Sequence, residues 1–213
     1  MAKIKAGILS KVSGKVAGVV GGTWKGQNYI RELVKPANPN TALQQAQRGK
    51  MSFVVKTARQ LVGDVLNPFL NKFCKTMSGY NWFCKENISK LSGTPLIFNS
   101  APVLSFGTLG SGTFDTSDVN VQYGLQVKGL PAVAAGHTLK LIGVIIDQTG
   151  EVLDININNA PAIGAYTASG DFETPGTYRF YALAFFADFD ANGVLQALSA
   201  TSASGLETQT ISA

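Results

Sequence analysis

From Asn38 onward the apolar period of this chain changes once, at Ser92-Gly93-Thr94-Pro95, and that change constrains the fold more than any other feature. Before it, apolar residues recur every three or four positions. After it, they fall into short β-branched and aromatic runs separated by turn residues. A helical pattern winds one stripe of side chains toward a core, whereas a strand pattern builds a pleated surface that needs a facing layer. A chain that carries first one and then the other reads as α+β.

The helical text begins at Asn38-Pro39-Asn40-Thr41, a turn that delivers a cap at Asn40 or Thr41. Leu43, Ala46, Met51, Val54, Val55, Ala58, Leu61 and Val62 then form the apolar stripe, with Gln44, Gln45, Gln47, Arg48, Lys50, Arg59 and Gln60 between them. Gly63 is placed to end this helix, and Pro68 to open a shorter element through Phe69, Leu70 and Phe73. Residues 78–88, carrying Tyr80, Trp82 and Phe83, form a third helical element. Cys74 and Cys84 lie in this region among aromatics and read as buried free thiols.

Beyond the switch, candidate strands are residues 104–109, 119–127, 138–147, 152–157, 163–169, 177–186 and 194–200, with a weaker one at 208–212. Turn residues separate them at 110–112, 129–131, 148–150, 158–161, 174–176 and 190–193. This spacing predicts an antiparallel β-sandwich of immunoglobulin-like or jelly-roll type over residues 96–213, with the topology left open. Residues 38–95 make the helical segment. Residues 1–37 are a third part, rich in glycine (Gly7, Gly14, Gly18, Gly21, Gly22, Gly26) with short β-branched runs. Such text predicts a small hairpin or extended arm with little core of its own.

Charge follows the same division. Residues 1–95 hold 15 Lys and Arg against Glu32, Asp64 and Glu86, a balance of +12; residues 96–213 hold 3 against 10 acids, a balance of −7, and the two sum to +5. The basic half is expected to lie against something anionic. Its cations are dispersed, with no run of five, which suits an acidic protein surface better than nucleic acid. A hydrophobic content of 45% with 15% charged residues places the chain among folded proteins. The basic, apolar N-terminus is not read as a secretion signal, because Lys11 and Lys15 interrupt its apolar run, and no stretch is long enough for a membrane span. The chain is therefore expected to stay in the compartment where it is made.

No catalytic, cofactor or metal motif emerges. Gly14-Lys15 is followed by Val16 and lacks the upstream glycine of a phosphate loop. His137, the single histidine, reads as a solvated turn residue. Asp188 and Asp190 sit in Asp-Phe-Asp-Ala-Asn-Gly, which lacks the acid that closes an EF-hand loop, so a hairpin turn is the simpler reading. Two cysteines and one histidine are too few for a structural zinc site.

The stretch from Gly7 to Phe53 carries Ser13-Gly14-Lys15-Val16, Gly18-Val19-Val20-Gly21, Trp24-Lys25-Gly26, Tyr29-Ile30-Arg31, Asn38-Pro39, Thr41, Gln44 and Gln47-Arg48. Together these resemble the N-terminal signature of a domain family of unknown function found in Bacteroidota genomes and their prophages. Asn40 and Met51 depart from the family's usual Arg and Phe. The resemblance implies a viral or prophage setting without naming a job. A glycine-rich arm with anchoring aromatics and single basic residues suits threading into a neighbouring subunit, and partner-binding roles are expected for Lys15, Trp24, Lys25, Tyr29, Arg31, Asn38, Thr41, Gln44, Gln47 and Arg48. The expected function is a virion structural protein without enzymatic activity or cofactor, made in the host cytoplasm, homo-oligomeric and anchored to other virion proteins by its basic half. Two alternatives stand beside it. One is a nucleic-acid-binding accessory protein using Lys3, Lys5, Lys11, Lys15, Lys25 and Arg31 on phosphates, with Trp24, Tyr29, Tyr80 or Trp82 to stack on bases. The other is a glycan-binding surface module.

Overall fold

The computed structural model describes residues 2–4, 14–35, 37, 40–110, 112–115, 125–165 and 176–211. They divide into two compact units, Met1–Thr41 and Ala42–Ala213.

The first unit is an antiparallel sheet of four short strands, β1 (Ala2–Ile4), β2 (Gly14–Val16), β3 (Val19–Trp24) and β4 (Gln27–Glu32), in the order β1-β4-β3-β2. Lys25 and Gly26 join β3 to β4 with φ of 48° and 74°. Two central residues with positive φ are what a two-residue hairpin needs to match the twist of its strands. Among residues 14–15, 17–35, 37 and 40–41 of this unit, Gly21 alone is buried. This part of the sheet has little apolar interior.

The second unit opens with helix α1 (Ala42–Leu61) and continues without a stop into a π-helical segment (Val62–Leu70). This corrects the expectation that Gly63 ends the helix and that Pro68 begins another. A glycine ends a helix by taking positive φ, and Gly63 does not. An interior proline costs about 3 kcal/mol. Val65, Leu66, Phe69 and Leu70 are buried around Pro68, and each contributes about 1.5–3 kcal/mol, so their burial carries the winding through it. Helix α2 (Gly79–Asn87) follows, with Ser78 Oγ accepting from the Asn81 N–H at 3.2 Å as its N-cap. A 3-10 turn (Ile88–Lys90) leads to the hairpin β5 (Leu91–Ser92) and β6 (Ile97–Phe98).

The main sheet is antiparallel and organised on one long strand. β11 (Gly176–Phe189) pairs along one side with β9 (Thr138–Asp147), which in turn pairs with β10 (Val152–Asn158). Along its other side it takes β12 (Leu195–Leu198), β13 (Ser202–Ala203) and β14 (Glu207–Ile211) in succession. The apolar runs of β9 and β11 are nearly continuous because both faces are covered. Ile142, Val144, Ile146, Tyr181, Leu183, Phe185 and Ala187 share one core with Val54, Ala58, Leu61, Leu66 and Phe69 of the helical layer, and Phe69 meets Phe185 edge-on at 5.8 Å. On the opposite face, Leu141, Ala182, Ala184 and Phe186 pack with Leu125 and Val127. A ribbon of β7 (Thr113–Asp115) and β8 (Gln126–Gly129) closes that side, with Phe114 stacked on Phe186 at 5.5 Å.

The α+β class with antiparallel strands is as the sequence predicts. The layer facing the sheet is different: among the described residues, the first face meets helices where a sandwich places a second sheet. The apolar stripe of the helices and that face complete each other, so the change of period at residues 92–95 marks a change of element inside one core. Residues 104–109 form no strand; they meet the sheet through a Leu109–Ser199 bridge, the Leu109 N–H donating to Leu198 O at 3.1 Å, and Leu104 buried in its core. The expected strands at 119–127 and 163–169 fall largely outside the described residues.

Polar bonds lock the layers. Thr57 Oγ1 donates to Gly150 O at 2.7 Å, and Gln60 Oε1 accepts the Val152 N–H at 2.9 Å, tying α1 to the β9–β10 turn. Gly150 has φ of +81°, and a Cβ there would stand 2.5 Å from Thr57 Oγ1, so both backbone and space require glycine. The buried Asn87 amide donates to Phe83 O and Val103 O at 2.9 Å each and accepts from Val103 N–H at 2.7 Å.

The first two turns of α1 are another difference from the expected stripe. Residues 42–48 are exposed all round, with Leu43 84% exposed, and burial begins only at Val54. A 20-residue helix is about 30 Å long, and this one overshoots the layer it packs on.

Candidate functional site

Strand register decides which side chains of the N-terminal sheet stand together. Val20 pairs with Lys15 on one side and Arg31 on the other. Gly22 pairs with Tyr29, Tyr29 with Lys3 of β1, and Trp24 with Gln27. Directly paired residues share a face, and every second residue of a strand returns to it. Lys15, Trp24, Tyr29 and Arg31 therefore occupy one face. Glu32, the single acid of residues 1–41, pairs with Val19 on the other face.

The geometry of that face is flat and open. The Tyr29 phenol lies across the place where a side chain of residue 22 would be: a Cβ there would meet its Oη at 3.0 Å and Cζ at 3.1 Å. Glycine at position 22 leaves room for that end of the ring. Trp24 is 68% exposed at the hairpin end, and the Lys25 ammonium stands 4.9 Å from its ring centroid, within cation–π range. Lys15 and Arg31 are exposed, and neither pairs with a carboxylate among the described residues.

The structure thus brings together four of the residues singled out from the sequence, Lys15, Trp24, Tyr29 and Arg31, with Lys25 at their edge. It does not bring all ten together. Thr41 ends the first unit, while Gln44, Gln47 and Arg48 belong to α1 of the second. Their spacings of three and four put them on one face of the exposed opening turns of that helix. Asn38 lies outside the described residues, as do Lys5 and Lys11. Tyr80 and Trp82, the other stacking candidates, are half-buried and pack against the core of the second unit, with Trp82 4.7 Å from Phe106.

His137 is not the solvated turn residue the sequence predicts. Its Nδ1 sits 3.0 Å from both carboxylate oxygens of Asp188, which is only 6% exposed. The pair links the start of β9 to the end of β11, 51 residues away. A carboxylate at the close of the apolar run Phe185-Phe186-Ala187 was the available signal, since an acid buried there requires a partner. Asp190 does form a hairpin turn, accepting from Asn192 N–H and Val194 N–H at 2.9 Å each. The Val194 N–H first, then the Asn192 N–H, the Gln196 amide and His137, hold its carboxyl below the ordinary range against a smaller opposing effect of desolvation. Among the described residues, no hydroxyl or thiol bonds the His137 ring, and no three His, Cys, Asp or Glu cluster as metal ligands. Cys84 is buried and Cys74 half-buried, both free, and burial pushes both thiols up, the Tyr80 hydrogen bond partly offsetting this at Cys84. No helix of the described residues is long and apolar enough to cross a membrane.

No curated protein and no solved structure matches this chain. Residues 11–93 match the model of a family of unknown function (DUF6266). The chain is thus similar to that family across β2–β4 and the whole helical layer, and the likeness stops at the β5–β6 turn, before the six-stranded sheet.

Proposed function

We propose that this protein is a non-catalytic assembly component, a virion structural protein of a Bacteroidota phage or prophage, that attaches through its N-terminal unit and presents its α+β unit outward. The observation that carries this reading is the exposed face of Lys15, Trp24, Tyr29 and Arg31, built on a sheet that has too little core to exist for its own sake. Ordering such a sheet costs backbone entropy, about 1–2 kcal/mol per residue, and the interior contacts visible in it are few. A partner that covers the face supplies the rest. The resemblance of the same stretch to a prophage-associated family supports the setting. A symmetric homo-oligomer of the kind common in particles belongs to the reading.

Mass spectrometry of purified particles tests it. The full-length chain is expected in particles, and a chain carrying Trp24→Ala with Arg31→Ala is expected to be made normally and left out of them. Undiminished incorporation of that variant would sink the proposal.

A further inference from the structure

We infer that the Lys15–Trp24–Tyr29–Arg31 face binds single-stranded nucleic acid, with the two rings as stacking platforms and the cations on phosphates. The inference uses the same surface as the proposed attachment, but its test involves no particle, so either can fail alone.

The sequence argued against nucleic acid because its cations are scattered. Folding removes that objection. Lys15, in β2, and Arg31, in β4, flank Val20 of β3 in one row, about 10 Å apart at twice the strand spacing. Tyr29 stands one step along from Arg31, and Trp24 is its diagonal neighbour across the β3–β4 ladder. Residues 1–41 hold Lys3, Lys5, Lys11, Lys15, Lys25, Arg31 and Lys35 against Glu32, a balance of +6. The occupant is therefore anionic.

The aromatics point to nucleic acid among anionic occupants. Tyr29 shares its face with Lys15 and Arg31, and Trp24 is 68% exposed beside the Lys25 ammonium. An exposed ring among cations meets the π-face of any base while its neighbours meet the phosphates. Because stacking is blind to base identity, binding is without sequence preference. An extended single strand is the form whose bases are free to reach the rings.

The test is fluorescence anisotropy of a labelled oligothymidylate of about 20 nucleotides with full-length protein from low to moderate salt. Three phosphate contacts, from Lys15, Lys25 and Arg31, predict a log–log salt slope of about −2. Lys15→Gln and Arg31→Gln each reduce that slope by about 0.7. Trp24→Ala weakens binding about 5- to 100-fold, whereas Trp24→Phe retains most of it. Val19→Thr, on the opposite face, changes neither affinity nor slope. Since Trp24 is exposed, its variants fold, and circular dichroism checks that they do. The inference is overturned if the oligonucleotide does not bind at low salt, or if Trp24→Ala binds it as tightly as the parent. It is equally overturned if polyglutamate displaces the oligonucleotide at equal charge concentration, which assigns the face to an acidic protein.

Discussion

The two units of this chain divide between them the two things a folded segment can do with its side chains. In residues 42–213, β9 and β11 bury both faces, one against helices and the other against a ribbon. Among residues 14–15, 17–35, 37 and 40–41, Gly21 is the one that is buried, while Lys15, Trp24 and Arg31 are exposed and Tyr29 is half-buried. The first arrangement turns sequence into stability, and the second leaves it available for contact. A sheet so short of interior is marginal alone. A glycine serves it where a larger residue would serve a core, because Gly22 makes room for the hydroxyl end of Tyr29.

The sharpest way to break this contrast is to cut into the deeper core. Phe185→Ala removes a fully buried ring that packs between β11 and the helical layer, and should destabilise the second unit by about 3–5 kcal/mol. Urea denaturation followed by fluorescence of Trp82 measures it, in a Trp24→Phe background. The contrasting change in the first unit, Val19→Thr, is expected within about 0.5 kcal/mol. Comparable losses from the two would erase the distinction.

A smaller effect tests whether the helices and sheet form one layered core. Asn87→Ala strips three hydrogen bonds and leaves Val103 N–H and O without that partner, costing about 1–3 kcal/mol. Hydrogen exchange should then quicken in residues 101–105 as well as in α2. Faster exchange in α2 alone would show that the following loop is held by something else.

The least effect is expected at Asp190. Its carboxyl is held below its ordinary value in the folded chain, so it contributes stability above about pH 4, the unfolded value, and loses it as pH falls through the folded one. Asp190→Asn keeps one oxygen to accept the Asn192 and Val194 N–H groups, loses the acceptor of the Gln196 amide, and cannot titrate. Its stability should therefore fall less steeply on acidification than the parent's, as seen in thermal melts below about pH 4. Identical acid limbs would show that the turn contributes nothing to the pH dependence.

The parts of the fold legible in the sequence are those written in local text. The helix at Ala42–Leu61, the strands at Thr138–Asp147 and Val152–Asn158, and the helix at Gly79–Asn87 follow from periodicity within a few turns of chain. Gly63 and Pro68 misled because their local preference was outweighed by burial of Val65, Leu66, Phe69 and Leu70 on a sheet that begins some 70 residues later. The His137–Asp188 pair was hidden for the same reason: its members are adjacent only once β9 and β11 are paired.

By itself the sequence determined the class and the separation of a basic, glycine-rich beginning from an acidic, strand-rich end, because composition and period are properties of neighbouring residues. Only the tertiary structure decided that helices cover the main sheet, and that Lys15, Trp24, Tyr29 and Arg31 share one face. Side chains alternate across a strand, so a register shifted by one residue would have sent half of them to the other side.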